Sequence, residues 1–566
     1  MKGFKEMSEL LYKSDNGDGT FTNPVLFADY SDPDVVRVGD TYYMTASSFN
    51  YTPGLPILIS KDLVNWTLAG YALKNIPEER YNIPRHSEGV WAPAIRYHAG
   101  RFYIYYGMPD EGLYMVSAAD PLGHWDPPVC VMKGKGLIDP CPFWDEDGKA
   151  YVVHAYAKSR IGFNNVLAIF EMTPDGKKAL TKDVHIFNAD GRHRTMEGPK
   201  LYKKNGYYYI LTPAGGVKYG WQVALRSRDI MGPYEDRIVM RQGTSDINGP
   251  HQGAMIDVFE GGAHHFYPGD MSEDKATREY FVHFQDLGMY GRVTLVQRIT
   301  WENGWPIMGA PLGTSMAYPE GLETDCLGRV IKDGCGEPER TLEKLVETGE
   351  APVYLKASDD FSSDELSLQW QWMGNHRNDF MSLSASPGSL RLYANNPSGK
   401  INAPLWAMAN VLTQKIVCPC FTLSVNVSTD GLKTDEYAGL IMVGDGYQAL
   451  AVFMDENGGR TLRCIRSVKD ESSEFGMRDE YFDITRIGDP RIKLLMKLAP
   501  EKNSAPGFAM GYLDENGHEQ WVESDFSPCD QQWVGAKPGI FACTTGETGA
   551  GSADFSDFTV KNLPAT

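Results

Sequence analysis

Residues 39–47 read GDTYYMTAS, a turn followed by aromatic and other strand-forming residues. The same loose phrase recurs four more times before residue 290, which is the first sign of a repeated unit. The five copies are GDTYYMTAS (39–47), AGRFYIYYG (99–107), DGKAYVVHA (147–155), NGYYYILTP (205–213) and REYFVHFQD (278–286). Each copy predicts a turn and one β-strand.

Three copies are followed by a second phrase that predicts the end of a strand and a turn with an aromatic residue. These phrases are SKDLVNWTL (60–68), AADPLGHWD (118–126) and SRDIMGPYE (227–235). Strand, hairpin, strand and turn are the content of a propeller blade. The uneven spacing of the copies also allows a β-sandwich with long loops, but five units favour a five-bladed β-propeller over residues 1–314.

The pattern changes beyond the propeller. Residues 315–352 carry no copy of the phrase and are predicted to be a linker, in which ERTLEKLVETGE (339–350) has the apolar spacing of a short helix. After it, apolar and polar residues alternate in LSLQWQW (366–372), SLRLYA (389–394) and FTLSVNVS (421–428). We therefore predict an all-β chain that ends in a jelly-roll or concanavalin-like β-sandwich over residues 353–566.

The charge of the chain restricts its partners. The 566 residues carry a formal net charge of −20. Nucleic acids and anionic membranes attract surfaces rich in Lys and Arg, so neither is an expected partner, and no apolar run reaches the ~20 residues of a membrane helix. A neutral oligosaccharide fits better, and the oligomeric state stays open.

The first residues bear on location. The stretch MKGFKEMSELLYKSDNGDGTF (1–21) lacks the apolar core and the small-residue cleavage site of a signal peptide, which predicts a cytoplasmic protein. A signal peptide removed before this sequence begins would leave the same pattern, so secretion also stays open.

The cysteines and clustered acids give weak metal signals. The nine cysteines lack paired CxxC spacings, so we predict reduced, mostly buried thiols without a structural zinc. A structural Ca²⁺ is one interpretation of four acids in the second domain, and turn caps are the alternative. These acids are Asp359, Asp360, Asp554 and Asp557.

Three acids occupy equivalent places in the repeat. Asp32 and Asp139 each precede a proline and a copy of the phrase, and Glu197 precedes Gly-Pro and a copy. In a propeller such positions converge near the axis, although an isolated Asp in a turn more often caps the backbone. Pro33 predicts an extended backbone at Asp32, and we interpret the neighbouring Asp29 and Asp34 as surface or supporting turn residues.

Paired carboxylates in a neutral pocket suit glycoside hydrolysis. That reaction needs one carboxyl that keeps its proton for the leaving oxygen, and one ionised carboxylate for the anomeric side. Phosphoryl and acyl transfer are disfavoured because the chain contains neither GxxxxGK[ST] nor GxSxG. The chemistry is predicted to need no cofactor.

Six ordered motifs carry a family resemblance. They are NPVLFADYSDPDVVRVGDTYYMTASSF, GVWAPAIRYHAGRFYIYY, LIDPCPFWDEDGKAYVV, MEGPKLYKKNGYYYIL, GPHQGAMID and GRVTLVQRITWENGWPIMG. Together they resemble glycoside hydrolase family 43, in the branch with a five-bladed propeller and a C-terminal β-sandwich. The resemblance is strong over about 20–310 and looser over about 353–560.

The resemblance implies a role for each acid. Asp32 matches the general base that activates water, Asp139 matches the residue that orients the acid and tunes its proton affinity, and Glu197 matches the general acid. Inversion in one displacement requires base and acid carboxyls roughly 6.5–9.5 Å apart. The implied activity is exo-hydrolysis of a terminal α-L-arabinofuranosyl or β-D-xylosyl residue.

The resemblance also implies a sugar pocket. Phe49 and Trp91 match its apolar walls, Arg292 matches a residue that orients the carboxylate and the sugar hydroxyls, and His251 matches a histidine near the axis, often beside a cation. Here GPHQG departs from the expected histidine-glycine pair, which weakens the argument for a cation. The alternatives are core packing for Trp91, an edge ion pair for Arg292 and a structural role for His251.

Two other functions stay open at this point. One is a retaining fructosidase, although such enzymes carry Asn-Asp-Pro and Glu-Cys where this chain has Ser31-Asp32 and Glu197-Gly198. The other is a glycan-binding protein without hydrolytic activity, which could bind through Trp370 or Trp372. Alternating tryptophans in such a strand more often plug an interface between domains.

Overall fold

The computed structural model describes residues 11–258, 278–313, 324–331, 334–344, 346, 348, 353–502 and 505–563. Within these residues the chain is almost entirely β. Helical structure there is limited to Lys158–Ile161 and the short 3-10 turns Glu79–Asn82, Gly288–Tyr290 and Leu405–Ala407.

Five antiparallel sheets, each made of four consecutive strands, form the predicted propeller blades. Blade 1 comprises Asp34–Val38, Thr41–Thr45, Gly54–Ser60 and Trp66–Leu73. Blade 2 comprises Trp91–His98, Arg101–Met108, Gly112–Ala118 and Val129–Lys133. Blade 3 comprises Leu137–Trp144, Ala150–Tyr156, Val166–Met172 and Val184–Asn188. Blade 4 comprises Lys200–Lys204, Tyr207–Ala214, Trp221–Ser227 and Glu235–Arg241, and short strands Gly336–Glu337 and Ala310–Pro311 extend its outer edge. Blade 5 comprises His251–Val258, Arg278–Asp286, Arg292–Glu302 and Trp305–Met308.

The recurring phrase forms a strand in every blade, as predicted, and the structure places it second in each blade. Each blade packs against two neighbouring blades, so both faces of this strand are covered. Most of the aromatic residues of the phrase are therefore buried. Around the axis, the first strands lie against one another between blades 1 and 2, 2 and 3, 3 and 4, and 5 and 1. Side chains at the starts of these strands can therefore meet.

Buried ion pairs join neighbouring blades. Arg37 of blade 1 pairs with Asp257 of blade 5 at 3.3 Å, and Asp34 accepts a hydrogen bond from Nη1 of Arg96 in blade 2 at 2.6 Å. The placement of Asp34 at the surface is thus wrong, because its carboxylate is needed to compensate the Arg96 guanidinium buried between the blades.

The predicted connecting helix does not form in the described residues 339–344. Thr341–Glu343 is instead a strand paired with Thr20–Thr22, and Leu342 packs in the propeller core. A short isolated helix is marginal in water, so pairing and burial decide the conformation. Leu345, which was part of the helical pattern, lies outside the described residues. The domain limits 1–314, 315–352 and 353–566 remain predictions.

Two seven-stranded antiparallel sheets form the second domain. In sheet order the inner sheet comprises Gln371–Trp372, Leu412–Thr413, Lys537–Thr544, Glu436–Val443, Tyr447–Met454, Arg460–Lys469 and Met477–Ile487. The outer sheet comprises Met381–Ser382, Leu390–Tyr393, Ser552–Asn562, Phe421–Ser428, Arg491–Lys502, Ala505–Leu513 and Glu519–Val522. Alternation in FTLSVNVS places every second side chain in the core between the sheets, as predicted.

The central strands of the inner sheet, Lys537–Thr544, Glu436–Val443 and Tyr447–Met454, are buried on both faces. In strand Glu436–Val443, Leu440 and Met442 pack between the two sheets, whereas Tyr437 and Ile441 join the apolar cluster that contains Phe49 and Trp91 of the propeller. Adjacent residues of one strand thus belong to two different cores, because side chains alternate across a sheet.

The tryptophans considered for glycan binding are both buried. Trp370 packs in the sandwich core and donates from Nε1 to Asp359 at 2.8 Å. Trp372 exchanges backbone hydrogen bonds with Thr52 of blade 1. Glycan binding through exposed Trp370 or Trp372 is therefore wrong, and Trp372 instead lies at the interface between the two halves of the chain.

Candidate active site

The three predicted acids lie at the same end of the propeller. Asp32 stands two residues before the first strand of blade 1, Asp139 lies inside the first strand of blade 3, and Glu197 stands three residues before the first strand of blade 4. The register shifts between Ile138 and Cys141, which marks a β-bulge at Asp139. Such bulges redirect side chains beside active sites.

The backbone at Asp32 differs from the prediction, and Asp139 has the same conformation as Asp32. Asp32 has φ 55° and Asp139 has φ 56°, so both occupy the left-handed region and not the extended one. Aspartate tolerates this region better than most residues because its short side chain forms local hydrogen bonds. The surrounding contacts outweigh the local bias that the following prolines impose.

Asp32 is held by two hydroxyls and one guanidinium. Its Oδ2 accepts hydrogen bonds from Oγ of Ser47 at 2.6 Å and Oγ of Ser31 at 3.1 Å. Its Oδ1 accepts one from Nη1 of Arg292 at 3.0 Å. These donors fix the orientation of the carboxylate at the pocket floor.

Asp139 and Glu197 form a coupled pair. Oδ2 of Asp139 accepts the backbone N–H of Gly198 at 2.7 Å, which brings its carboxyl beside Glu197. Burial raises the pKa of Asp139 well above its ordinary value, and the charges of Glu197 and Asp32 raise it further, against the opposing Gly198 N–H. The site therefore favours retention of a proton close to Glu197.

Glu197 is the acid most open to a ligand. Its side chain is 31% exposed, whereas that of Asp32 is 8% exposed. Oε1 lies 3.1 Å from Nε2 of His251, and Oε2 has no hydrogen-bond partner among the described residues. One oxygen is thus held while the other can reach a substrate.

Arg292 is anchored from several directions. Nη1 bonds to Ser31 and Asp32, the guanidinium lies 4.8 Å from the ring centre of Phe284, and the backbone N–H donates to Asp29 at 3.0 Å. Asp29 is fully buried, so its interpretation as a surface residue is wrong. The alternative of a strand-edge ion pair does not describe Arg292, which is itself buried.

Phe49 and Trp91 are almost completely buried in the apolar cluster shared by the propeller and the inner sheet. The indole of Trp91 donates to the carbonyl of Ser87 and meets the ring of Trp533 edge-on, with centroids 4.7 Å apart. Trp533 is only partly buried and comes from the sandwich. An apolar wall built from both halves of the chain thus stands beside the acids.

Sequence reasoning did not identify Ser47, Gly198 or Trp533 as members of the site. Ser47 is the last residue of the quoted phrase GDTYYMTAS (39–47), and Gly198 lies within the quoted motif MEGPKLYKKNGYYYIL. Both positions could be read from the sequence, but the residues that they contact could not. Trp533 had no sequence signal, because its contact depends on how the sandwich packs against the propeller.

The donor sets do not fit a cation. His251 offers one buried nitrogen, Nδ1, without a described hydrogen-bond partner, and no group of three or more His, Cys, Asp or Glu residues in the described part of the chain could hold a metal. The four acids considered for Ca²⁺ have separate protein partners; Asp554, for example, binds Arg391 at 2.7 Å. The calcium hypothesis receives no support, and we derive no step through a metal.

Comparisons with known proteins decide the family. Residues 21–306 match Glycosyl hydrolases family 43, and residues 358–561 match the Beta xylosidase C-terminal Concanavalin A-like domain. The chain belongs to glycosyl hydrolase family 43. The predictions of a glycoside hydrolase and of a propeller followed by a concanavalin-like sandwich are therefore confirmed.

Relatives of this family-43 hydrolase cover most of its length. A β-xylosidase of Formosa agariphila is 33% identical over an alignment of 493 positions, which covers 79% of this chain and 77% of the relative. A non-reducing end α-L-arabinofuranosidase of Bacteroides ovatus is 30% identical over an alignment of 473 positions, which covers 80% of this chain and 79% of the relative.

A solved structure supports the fold of the family-43 chain. A xylan β-1,4-xylosidase from Bacillus halodurans matches with a TM-score of 0.76 and 22% identity, over 96% of this chain and 100% of the other.

No helix within the described residues is both long and apolar enough to span a membrane.

Proposed function

We propose that this family-43 hydrolase removes one terminal pentose, an α-L-arabinofuranosyl or β-D-xylosyl residue, from oligosaccharides derived from plant hemicellulose. Relatives named for each activity align with about four fifths of the chain, which supports both sugars as candidates. The observation that carries the proposal is the meeting of three acids from separate blades, where the charges of Glu197 and Asp32 both act on Asp139.

The acids take different roles in the proposed reaction. Asp32, held in place by Arg292 and two serine hydroxyls, acts as the general base on a water. Glu197 protonates the leaving oxygen through its exposed end, and Asp139 and His251 orient it. The water attacks the anomeric carbon opposite the leaving group, so the configuration inverts in one step.

The surroundings favour cleavage of short substrates from one end. Trp533 of the sandwich closes one side of the apolar wall at Trp91, which restricts the room for a polymer that passes through the site. We include in the proposal a cytoplasmic site of action on imported oligosaccharides, with secretion as the alternative.

The test is hydrolysis of the two nitrophenyl pentosides by the wild type, Asp32→Ala and Glu197→Ala. We expect each substitution to lower kcat by about 10²-fold or more. Glu197→Ala should be impaired more strongly on xylobiose than on the nitrophenyl substrates, because nitrophenolate leaves without full protonation. Wild-type activity in either variant would contradict the assignment.

The anomeric form of the first product separates the alternatives. NMR should detect inverted sugar, whereas retained configuration would indicate the fructosidase-like mechanism. Binding of oligosaccharide without turnover on either substrate would instead indicate a glycan-binding protein.

A further inference from the structure

Behind the pocket lies a buried carboxylate that the proposed reaction does not use. Asp29 stands three residues before Asp32 and is 4% exposed. Its Oδ1 accepts the backbone N–H of Arg292 at 3.0 Å, and its Oδ2 accepts the backbone N–H of Gly535 at 3.0 Å. Arg292 belongs to the propeller and Gly535 to the sandwich, so one carboxylate joins the two halves.

The two backbone groups that donate to Asp29 belong to segments that form different walls of the pocket. On the propeller side, the guanidinium of Arg292 binds Oδ1 of Asp32 at 3.0 Å. On the sandwich side, Gly535 follows two residues after Trp533, whose ring meets Trp91. A shift of Asp29 would therefore displace both the carboxylate of Asp32 and the apolar wall.

The backbone segments around Asp29 are packed so closely that they leave no room for a Cβ atom at Gly291 or Gly535. A Cβ on Gly535 would lie 2.6 Å from the nitrogen of Gly291, and a Cβ on Gly291 would lie 2.4 Å from Cγ of Asp29. Gly291 also has φ 76°, which favours glycine. This close approach fixes the position of the sandwich segment relative to the carboxylate.

The sandwich also supplies the compensating charge. Nζ of Lys537 lies 3.7 Å from Oδ2 of Asp29 and 4.7 Å from the ring centre of Tyr51, and Lys537 is buried. Burial alone would raise the pKa of Asp29, but Lys537, Lys415 and the two N–H donors hold it below its ordinary value. Burial and the neighbouring Lys537 charge lower the pKa of Lys415 to about 7, against the opposing charge of Asp29.

We propose that Asp29, with Lys537 as its counter-ion, is a positioning residue that couples the sandwich to the catalytic base through Arg292. The inference rests on the role proposed above for Asp32. It assigns the sandwich a part in catalysis beyond covering the pocket, because the charge that keeps Asp29 ionised comes from the second domain.

The first test is Asp29→Asn, which preserves shape but removes the charge. We expect kcat to fall about tenfold with KM changed by less than about threefold, since small displacements of reacting groups reduce turnover strongly. The acidic limb of the pH profile of kcat/KM should move to higher pH, because a displaced Arg292 no longer places its positive charge against the carboxylate of the general base.

Asp257→Asn is the matched control. Asp257 is equally buried and pairs with Arg37, but it lies between blades 1 and 5 and makes no contact with the three acids. We expect its kcat and acidic limb to match the wild type. Similar shifts in both variants would attribute the effect to general loss of a buried ion pair and overturn the proposal.

Lys537→Met tests the counter-ion. It also provides an independent test of the proposal if Asp29→Asn does not fold. It should lower kcat and shift the acidic limb in the same direction. In the Asp29→Asn background it should add nothing, because both changes act through one carboxylate. Additive effects, or wild-type kcat and pH profile in Lys537→Met, would overturn the proposal.

Asp32→Ala, measured in parallel, separates this inference from the proposed function. Loss of activity in Asp32→Ala with wild-type behaviour in Asp29→Asn rejects only the positioning role. Full activity in Asp32→Ala rejects the base assignment on which that role depends.

Discussion

Oγ of Ser47 donates a hydrogen bond to Oδ2 of Asp32 at 2.6 Å, and Oγ also accepts one from the backbone N–H of Ala92 at 2.7 Å. One buried serine therefore ties the carboxylate in front of blade 1 to the start of blade 2. Because Ala92 follows Trp91, the contact also fixes the carboxylate relative to the apolar wall.

We predict that Ser47→Ala lowers kcat about tenfold and destabilises the fold by about 1–3 kcal/mol, because the buried N–H of Ala92 loses its acceptor. Steady-state kinetics and thermal unfolding measure the two effects. Ser117→Ala is a suitable control, since Ser117 also binds a carboxylate, that of Asp126 at 2.8 Å, but lies on the third strand of blade 2. Equal kinetics in the two variants would contradict a role for Ser47 at the site.

Asp139→Asn should reduce activity and yet stabilise the protein at neutral pH. The folded-state pKa of Asp139 lies well above its ordinary value, so the wild type loses stability as pH rises from the unfolded pKa through the folded one. Asparagine carries no proton to lose, and its carbonyl can still accept the Gly198 N–H. We expect kcat to fall about 10²-fold or more.

Thermal unfolding between pH 4 and pH 8 checks the sign of this effect. The unfolding midpoint of Asp139→Asn should exceed that of the wild type by the largest margin at pH 8. The difference between the two midpoints should shrink as the pH falls toward 4. A variant less stable than the wild type at pH 8 would show that burial does not penalise the ionised Asp139.

Gly198→Ala should impair the acid pair directly. Gly198 has φ 57°, and a Cβ there would lie 2.6 Å from Cδ of Gln252. The resulting shift would displace the N–H that Asp139 accepts, and we expect kcat to fall about tenfold or more. The control is Gly148→Ala, because Gly148 has φ 83° but open space at Cβ, so it tests backbone strain alone. A comparable loss of kcat in the control would contradict this explanation.

Trp533→Ala should weaken substrate binding more than chemistry. Removal of the ring opens the wall at Trp91 and leaves the acids in place, so KM should rise about tenfold with kcat changed by less than about threefold. Trp521→Ala provides a comparison, because Trp521 lies on the edge strand of the outer sheet beside Lys497. An unchanged KM in Trp533→Ala would mean that the sandwich contributes no part of the sugar pocket.

The propeller could be predicted because its information is local and repeated. Five turn-and-strand phrases mark the second strands, and the placement of Asp32, Asp139 and Glu197 relative to them brings the three acids to one end. Fixed spacing along the chain becomes proximity in space once the blades close into a ring.

Other features depend on contacts that no local pattern contains. The left-handed backbone at Asp32 and Asp139 is set by hydrogen bonds from distant segments, and the strand at Thr341–Glu343 exists because Thr20–Thr22 pairs with it. The positions of Trp372 and Trp533 follow from how the sandwich packs against the propeller. Alternation identified a strand at Trp372 but could not say which surface would cover it.

The inner sheet of the sandwich serves two cores at once, and this shared sheet constrains how the protein can diversify. A fragment ending before the sandwich would leave the apolar cluster of Phe49 and Trp91 uncovered, and the detached sandwich would expose Tyr437 and Ile441. Such surfaces promote aggregation. Chimeras that recombine propellers and sandwiches from different relatives should therefore succeed only when the facing residues of both partners are inherited together.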